Sequence, residues 1–249
     1  MLSQKQREQF ENDGYVVVPD ILSDDVLAEI RNASQTFAKA EPERRSWNER
    51  SCFRRAAFVR ILEARSLINL AVDVIGEDVQ LLQLDLLRMR SGDPEPEWHR
   101  DVDFVCNKTI AISMAIYLQD TEEDNGPLRI VPATHRLDHG PATACGDLPG
   151  QILLPVSAAT AIVHDSALWH AATLDRPNID CWALFPIFGK YWIKRRDDGC
   201  KQLPPERILS LTEPLQRQLL GFGLRPGVQS YLGDGEQYNR RGDPGVDFV

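Results

Sequence analysis

The chain contains no unbroken apolar stretch long enough to span a bilayer and no charged-then-apolar N-terminal leader, which points to a soluble, cytoplasmic protein. Cysteine is sparse. The five residues Cys52, Cys106, Cys145, Cys181 and Cys200 are scattered, odd in number and never arranged as C-x-x-C, which excludes a disulfide framework and a thiolate zinc site. There is no excess of positive charge either. Lys and Arg total 28 against 37 Asp and Glu, a formal net charge of −9, so neither non-specific nucleic-acid binding nor a polybasic membrane surface is expected. Internal repeats and low-complexity tracts are absent as well.

What is present suits one well-packed core. With 43% hydrophobic residues over 249 positions, the chain reads as a single domain spanning 1–249. Its first part, 1–76, reads as a helical layer. Residues Ser3 to Asp13 form a short polar helix ended by Gly14, and Tyr15 to Val18 a short strand closed by Pro19. Ser23 is placed as the N-cap of a second helix whose Val26, Leu27, Ile30 and Phe37 share a face. From Ala40 to Arg60 the pattern turns basic and irregular, with arginines interleaved among Trp47, Phe53 and Phe58. A solvated face with ordinary salt bridges is the expectation there, with contact to a carboxylate substrate as its alternative. Arg65 to Ile75 reads as a helix capped by Gly76.

Beyond Gly76 the texture becomes that of strands. The apolar runs are Val79 to Met89, Lys108 to Leu118, Arg129 to Val131, Gln151 to Val156, Ala161 to Val163 and Cys181 to Trp192. Helices followed by many short strands and Gly/Pro/Asp turns indicate an α+β fold with a β-sandwich or jelly-roll core over 77–195 and the helices packed on one face. The tail, 196–249, is expected to wrap the outside of the core or to meet a second subunit as a homodimer. Lys194-Arg195-Arg196 reads as a solvated strand end.

The stretch with chemical content is Trp98-His99-Arg100-Asp101-Val102-Asp103-Phe104. In extended chain, residues two apart point to one side, so His99 and Asp101 can reach one ion. Two imidazoles and a carboxylate on one face of a metal form the facial triad of non-haem iron(II) oxygenases, with positions left open for oxygen and a co-substrate. For the second imidazole both His164 and His170 qualify. His135 and His139 lie in a Pro/Gly-punctuated loop and read as turn or cap residues.

Several blocks together resemble the phytanoyl-CoA dioxygenase family of iron(II)/2-oxoglutarate-dependent oxygenases. They are Phe10 to Pro19 with Leu22-Ser23, Trp98 to Asp101, Ala115 to Asp120 with Glu123 to Arg136, and Asp165 to His170. The resemblance implies a double-stranded β-helix (jelly roll, cupin-like), and it assigns iron to His99, Asp101 and His170, with His164 in place of an ordinary strand residue. It implies Fe(II), 2-oxoglutarate and O2 as the reacting set. Hydroxylation of an aliphatic carbon of a small-molecule metabolite is the expected outcome, and Asp101 stands where halogenases carry a small residue. For the co-substrate it points to Gln83, Arg88, Tyr117 and Arg176. The family's arginine after the distal histidine is missing, because its position falls near Cys181. That departure keeps two alternatives open: an iron enzyme of the same fold that does not use 2-oxoglutarate, and an inactive β-sandwich binding module.

Overall fold

The structure, a computed structural model, describes residues 1–90, 92–94, 96–103, 105–173, 180–194 and 214–221. Most of the C-terminal wrap expected over 196–249 therefore lies outside the described residues. No described helix is long and apolar enough to cross a membrane.

Helix α1, Gln4–Asp13, starts at a capping box in which Ser3 and Gln6 exchange hydrogen bonds, and it ends at Gly14, whose φ of 81° favours glycine. Strand β1, Tyr15–Val18, follows directly. Helix α2, Asp24–Ala40, buries Val26, Leu27, Ile30 and Phe37, the face its spacing marks out. Ser23 stands at its N-cap, but the hydroxyl bonds to Asp25 and makes no backbone cap.

The basic stretch is more regular than expected. It holds strand β2, Ser46–Asn48, and two single-turn helices, α3 at Glu49–Cys52 and α4 at Ala56–Val59. Its aromatic residues Trp47, Phe53 and Phe58 are wholly buried. Trp47 stacks between Phe37 and Trp182, with ring centroids 5.3 and 5.6 Å away. Three of the arginines pair with carboxylates, Arg60 with Asp25 and Glu29, Arg44 with Glu41 and Arg45 with Asp93, while the Arg55 guanidinium lies 4.2 Å from the Phe37 ring. This is the salt-bridged face. Helix α5, Arg65–Ile75, then leads to Gly76.

The strands that follow are β3 Val79–Met89, β4 Ala111–Tyr117, β5 Leu128–Ile130, β6 Ile152–Leu154, β7 Ala161–Asp165, β8 His170–Ala172 and β9 Cys181–Lys190, with a short helix α6 at Pro214–Leu219. They form a six-stranded sheet in the order β1-β7-β4-β9-β3-β2 and a three-stranded sheet in the order β6-β5-β8. Every pair is antiparallel.

Period-2 alternation divides the large sheet into two faces. Ile112, Met114, Ile116, Leu184 and Phe188 point to the core shared with the helices. Ala115, Tyr117, Ile162, Cys181 and Ala183 point the other way, where they meet Leu128 and Ile130 of the small sheet. A functional site can therefore sit between the sheets at one end of this second core. A bulge between Leu81 and Gln83 resets the parity of β3. Before it Val79 and Leu81 face the helices, and after it Leu84 and Leu86 do, so Gln83 and Asp85 turn to the interior.

Candidate metal centre

The segment carrying His99 joins the small sheet as an extra, one-bridge strand. His99 N–H donates to the His170 carbonyl at 3.0 Å and His170 N–H to the His99 carbonyl at 3.1 Å. Two residues on, the amides of Asp101 and Val102 both donate to the Ser166 carbonyl, at 2.8 and 3.0 Å. Alternation does the rest. Trp98 is buried on the outer face with Trp169 and Val131, its indole N–H donates to the Gly146 carbonyl at 2.7 Å, and the Arg129 guanidinium lies 4.7 Å from its ring. With Trp98 pinned outward, His99 and Asp101 turn together to the opposite side.

Ligating atoms of His99, Asp101 and His170 all lie within 4.8 Å of one another. The Asp101 carboxylate is 3.9 Å from His99 Nε2 and 3.7 Å from His170 Nε2. The side chains are 51%, 17% and 4% exposed for His99, Asp101 and His170, so the cluster opens on the His99 side.

Both imidazoles are fixed in one tautomer. His170 Nδ1 lies 3.0 Å from the Leu168 carbonyl and His99 Nδ1 lies 2.8 Å from the Glu97 carbonyl. A carbonyl can only accept, so each Nδ1 carries a proton, and the neutral form of each ring presents its lone pair at Nε2. Burial pushes the His170 pKa down to about 3, which keeps that ring neutral and able to ligate. Burial works to raise the Asp101 pKa, but His170, His164, the Ser113 hydroxyl and His99 outweigh it and hold the carboxyl below its ordinary value. Ser113 donates to Asp101 and lies 2.9 Å from Ser166 Oγ, so a buried hydroxyl pair aims the carboxylate. Two imidazole nitrogens and one carboxylate suit a divalent first-row metal, and the pattern is the 2-His-1-carboxylate set.

The family model for phytanoyl-CoA dioxygenase (PhyH) matches residues 10–176, two thirds of the chain and all three of these residues. The chain belongs to the phytanoyl-CoA dioxygenase family. Among curated relatives, ectoine dioxygenase of Sphingopyxis alaskensis is 29% identical over 156 residues, covering 54% of this chain and 50% of that protein. L-proline trans-4-hydroxylase of Streptomyces griseoviridis is 24% identical over 142 residues, covering 51% and 53%. The chain thus spans about half the length of the curated relatives it matches. Among solved structures, HygX of Streptomyces hygroscopicus with nickel and 2-oxoglutarate bound superposes with a TM-score of 0.67 at 15% identity, covering 78% of this chain and 90% of that one. The apoform of EctD from S. alaskensis gives 0.63 at 21% identity, covering 76% and 78%. These likenesses establish that the fold is the one shared by those proteins.

The co-substrate residues expected from the sequence fare unevenly. Gln83 and Tyr117 face the interior. Gln83 donates to Asp85, and the Tyr117 hydroxyl donates to the Gly126 carbonyl at 3.0 Å. Arg88 does not join them. It pairs with Trp182 on the helix side of the sheet, with its guanidinium 5.6 Å from that ring and bonded to Asp180 and the Pro42 carbonyl. Arg88 lies five positions after Gln83, and an odd spacing in one strand puts them on opposite faces. Arg176 lies outside the described residues. Cys181, near which the resemblance puts the family's arginine, is buried, and its sulfur lies 2.7 Å from Gln119 Nε2.

Two features of the site escape sequence reasoning, because Ser113 and Ser166 look like ordinary small residues. His164, the other candidate imidazole, is fully buried with its ring centroid 4.3 Å from that of His170. The alternation of β4 places Ser113 on the same face as Tyr117, and that was the available signal.

Proposed function

We propose that this chain is a non-haem iron(II)- and 2-oxoglutarate-dependent oxygenase on a double-stranded β-helix (jelly roll), hydroxylating an aliphatic carbon of a small-molecule metabolite. The observation that carries the reading is the convergence of His99, Asp101 and His170, with both Nε2 lone pairs set by backbone carbonyls. Iron(II), once bound with a 2-oxo acid, supplies the activation of dioxygen that attack on an unreactive C–H bond requires.

The chain's own groups prepare that chemistry. His170 and Asp101 would hold the ion from the buried side, with His99 closing the set at the open mouth. The Asp101 charge offsets part of the dication's charge, and its presence leaves no place for a halide, which favours hydroxylation over halogenation. Ser113 keeps that carboxylate from rotating. The apolar interior formed by Ala115, Ile130, Ile162 and Leu168 keeps water from reactive species.

Support for 2-oxoglutarate comes from the family and from HygX, whose structure holds it. Among the described residues, the strands turn no Lys or Arg toward the interior to meet its far carboxylate, and Arg176 lies outside those residues. The basic residues of the strands are Arg88, Arg129 and Lys190. Arg88 and Lys190 pair with Trp182 and Val79 on the helix side, and Arg129 lies on the outer face of the small sheet against Trp98. Cys181 accordingly favours a second reading, an iron enzyme of this fold working without 2-oxoglutarate.

Oxygen uptake by the iron(II)-loaded protein, with and without 2-oxoglutarate and with succinate measured alongside, separates these readings. The first requires oxygen uptake and succinate release that both depend on 2-oxoglutarate. Uptake independent of it establishes the second. A chain that binds no iron contradicts both.

A further inference from the structure

His164 has no part in the reading above, yet its placement is specific. It pairs with Tyr15 on one side and Ser113 on the other, and it is 0% exposed. Residues directly opposite one another in antiparallel strands project to one face. His164 therefore shares the interior face with Ser113, whose hydroxyl reaches Asp101. Its ring lies against one side of the His170 ring, at 4.3 Å and 49°, while the His99 ring contacts the same imidazole at 4.2 Å.

The hydrogen-bonding state of this ring is determined. Nδ1 lies 3.0 Å from the Asp165 carbonyl, so Nδ1 carries the proton and Nε2 of the neutral ring is a bare acceptor. That Nε2 is buried and has no hydrogen-bond partner among the described residues. Buried polar atoms are nearly always partnered, and an exception calls for an explanation. Direct ligation does not supply one, because the mutually close ligating atoms belong to His99, Asp101 and His170 and do not include His164. An acceptor beside a metal centre, but outside its ligand set, is matched by a donor carried on the metal's open side. Water bound to a divalent cation is such a donor, since the cation draws electron density from its O–H bonds.

We propose that His164 is a positioning residue whose Nε2 accepts a hydrogen bond from water held at an open position of the metal. This rests on the metal-centre reading. Ser113 and His164, side by side on neighbouring strands, then divide the work. The hydroxyl aims a ligand, and the imidazole retains what occupies the position that the ligands leave open. A phenylalanine would fill the same space and stack on His170 in the same way, but it offers no acceptor.

The test uses Co(II) in place of iron, read by visible absorption without any co-substrate, in the parent, His164→Phe and His164→Gln. Cobalt bands strengthen as coordination number falls, so loss of the held water reads as an intensified spectrum. We expect His164→Phe to bind Co(II) within about tenfold of the parent affinity and to show the intensified spectrum. His164→Gln, whose amide oxygen can accept, should return the spectrum to that of the parent. A His164→Phe spectrum superimposable on the parent's overturns the proposal. So does a loss of affinity beyond about 100-fold in both variants, which is the behaviour of a ligand. If the parent itself binds no Co(II), the metal-centre reading fails first and takes this one with it.

Discussion

His99 and His170 face each other across a reciprocal pair of backbone hydrogen bonds, 3.0 and 3.1 Å long, although 70 positions separate them in sequence. This bridge sets the spacing of two metal-binding imidazoles through the main chain, before any side chain is considered. Each ring is then held by a carbonyl two residues before it, that of Glu97 or Leu168. The geometry is thus largely preorganised without an ion, which lowers the ordering cost of binding one.

A preformed site predicts a clear thermal response. With free Co(II) or Fe(II) at 100 times its dissociation constant, stability should rise by about 2.7 kcal/mol. For a chain of this size that corresponds to a melting temperature higher by roughly 5–10 °C. Differential scanning fluorimetry with and without EDTA measures it. His99→Ala and Asp101→Ala should lose the increment, with His99→Ala keeping the metal-free melting point more closely because its side chain is half exposed. An undiminished increment in either variant places the metal elsewhere.

Ser113→Ala removes the hydroxyl that donates to Asp101 and meets Ser166. Loss of an orienting partner of this kind lowers metal affinity by about 10–100-fold. Calorimetric titration of metal into the variant reads this directly. The hydroxyl is buried and its acceptor is a carboxylate, so the metal-free melting point should fall as well, by the equivalent of about 1–3 kcal/mol, and affinities are compared at a temperature where both proteins are folded.

The metal-free protein should also lose stability on mild acidification. Burial depresses the pKa of His164 and that of His170, the latter to about 3, whereas the unfolded chain protonates histidine near 6.5. Below that value the unfolded state binds more protons than the folded one, so stability falls as pH drops from about 6.5 toward 3. The limiting slope is about 1.4 kcal/mol per pH unit for each ring that stays neutral. Asp101 adds a loss in the same direction, but only below the ordinary carboxyl range, because its folded pKa is lowered. Between pH 6 and 4.5 the histidines therefore dominate, and urea denaturation midpoints should fall across that interval. Replacing His164 by Phe should flatten the slope.

Arg88 offers a discriminating substitution. Its guanidinium bonds to Asp180 and the Pro42 carbonyl on the helix side, away from the metal. Arg88→Ala should cost about 1.5–3 kcal/mol of stability through these charge-assisted bonds. The dissociation constant for 2-oxoglutarate, measured in the presence of metal without oxygen, should be unchanged.

Much of this arrangement is legible in the sequence. Phe10 at the end of a capped helix, the apolar face of Val26 to Phe37 and the long strands follow from local pattern, because each buries one face over several turns or pleats. The same-side placement of His99 and Asp101 follows from spacing alone. Strand β8 did not, since a three-residue strand shows no alternation, and His170 was singled out by family resemblance. Gln83 and Arg88 are five positions apart in one strand, so spacing alone sets them on opposite faces, while the bulge that decides which face is inward leaves no composition signal here. The arginines around Trp47 give its stretch the pattern of a solvated face, whereas the aromatic stack with Phe37 and Trp182 forms only through contacts distant in sequence.

The most direct measurement is anomalous diffraction at the iron absorption edge, from crystals grown without oxygen in the presence of Fe(II). The account requires a single strong peak at bonding distance from His99 Nε2, His170 Nε2 and an Asp101 carboxylate oxygen, absent in Asp101→Ala. A peak coordinated by other residues, or no peak in a protein that is folded and exposed to Fe(II), would contradict it.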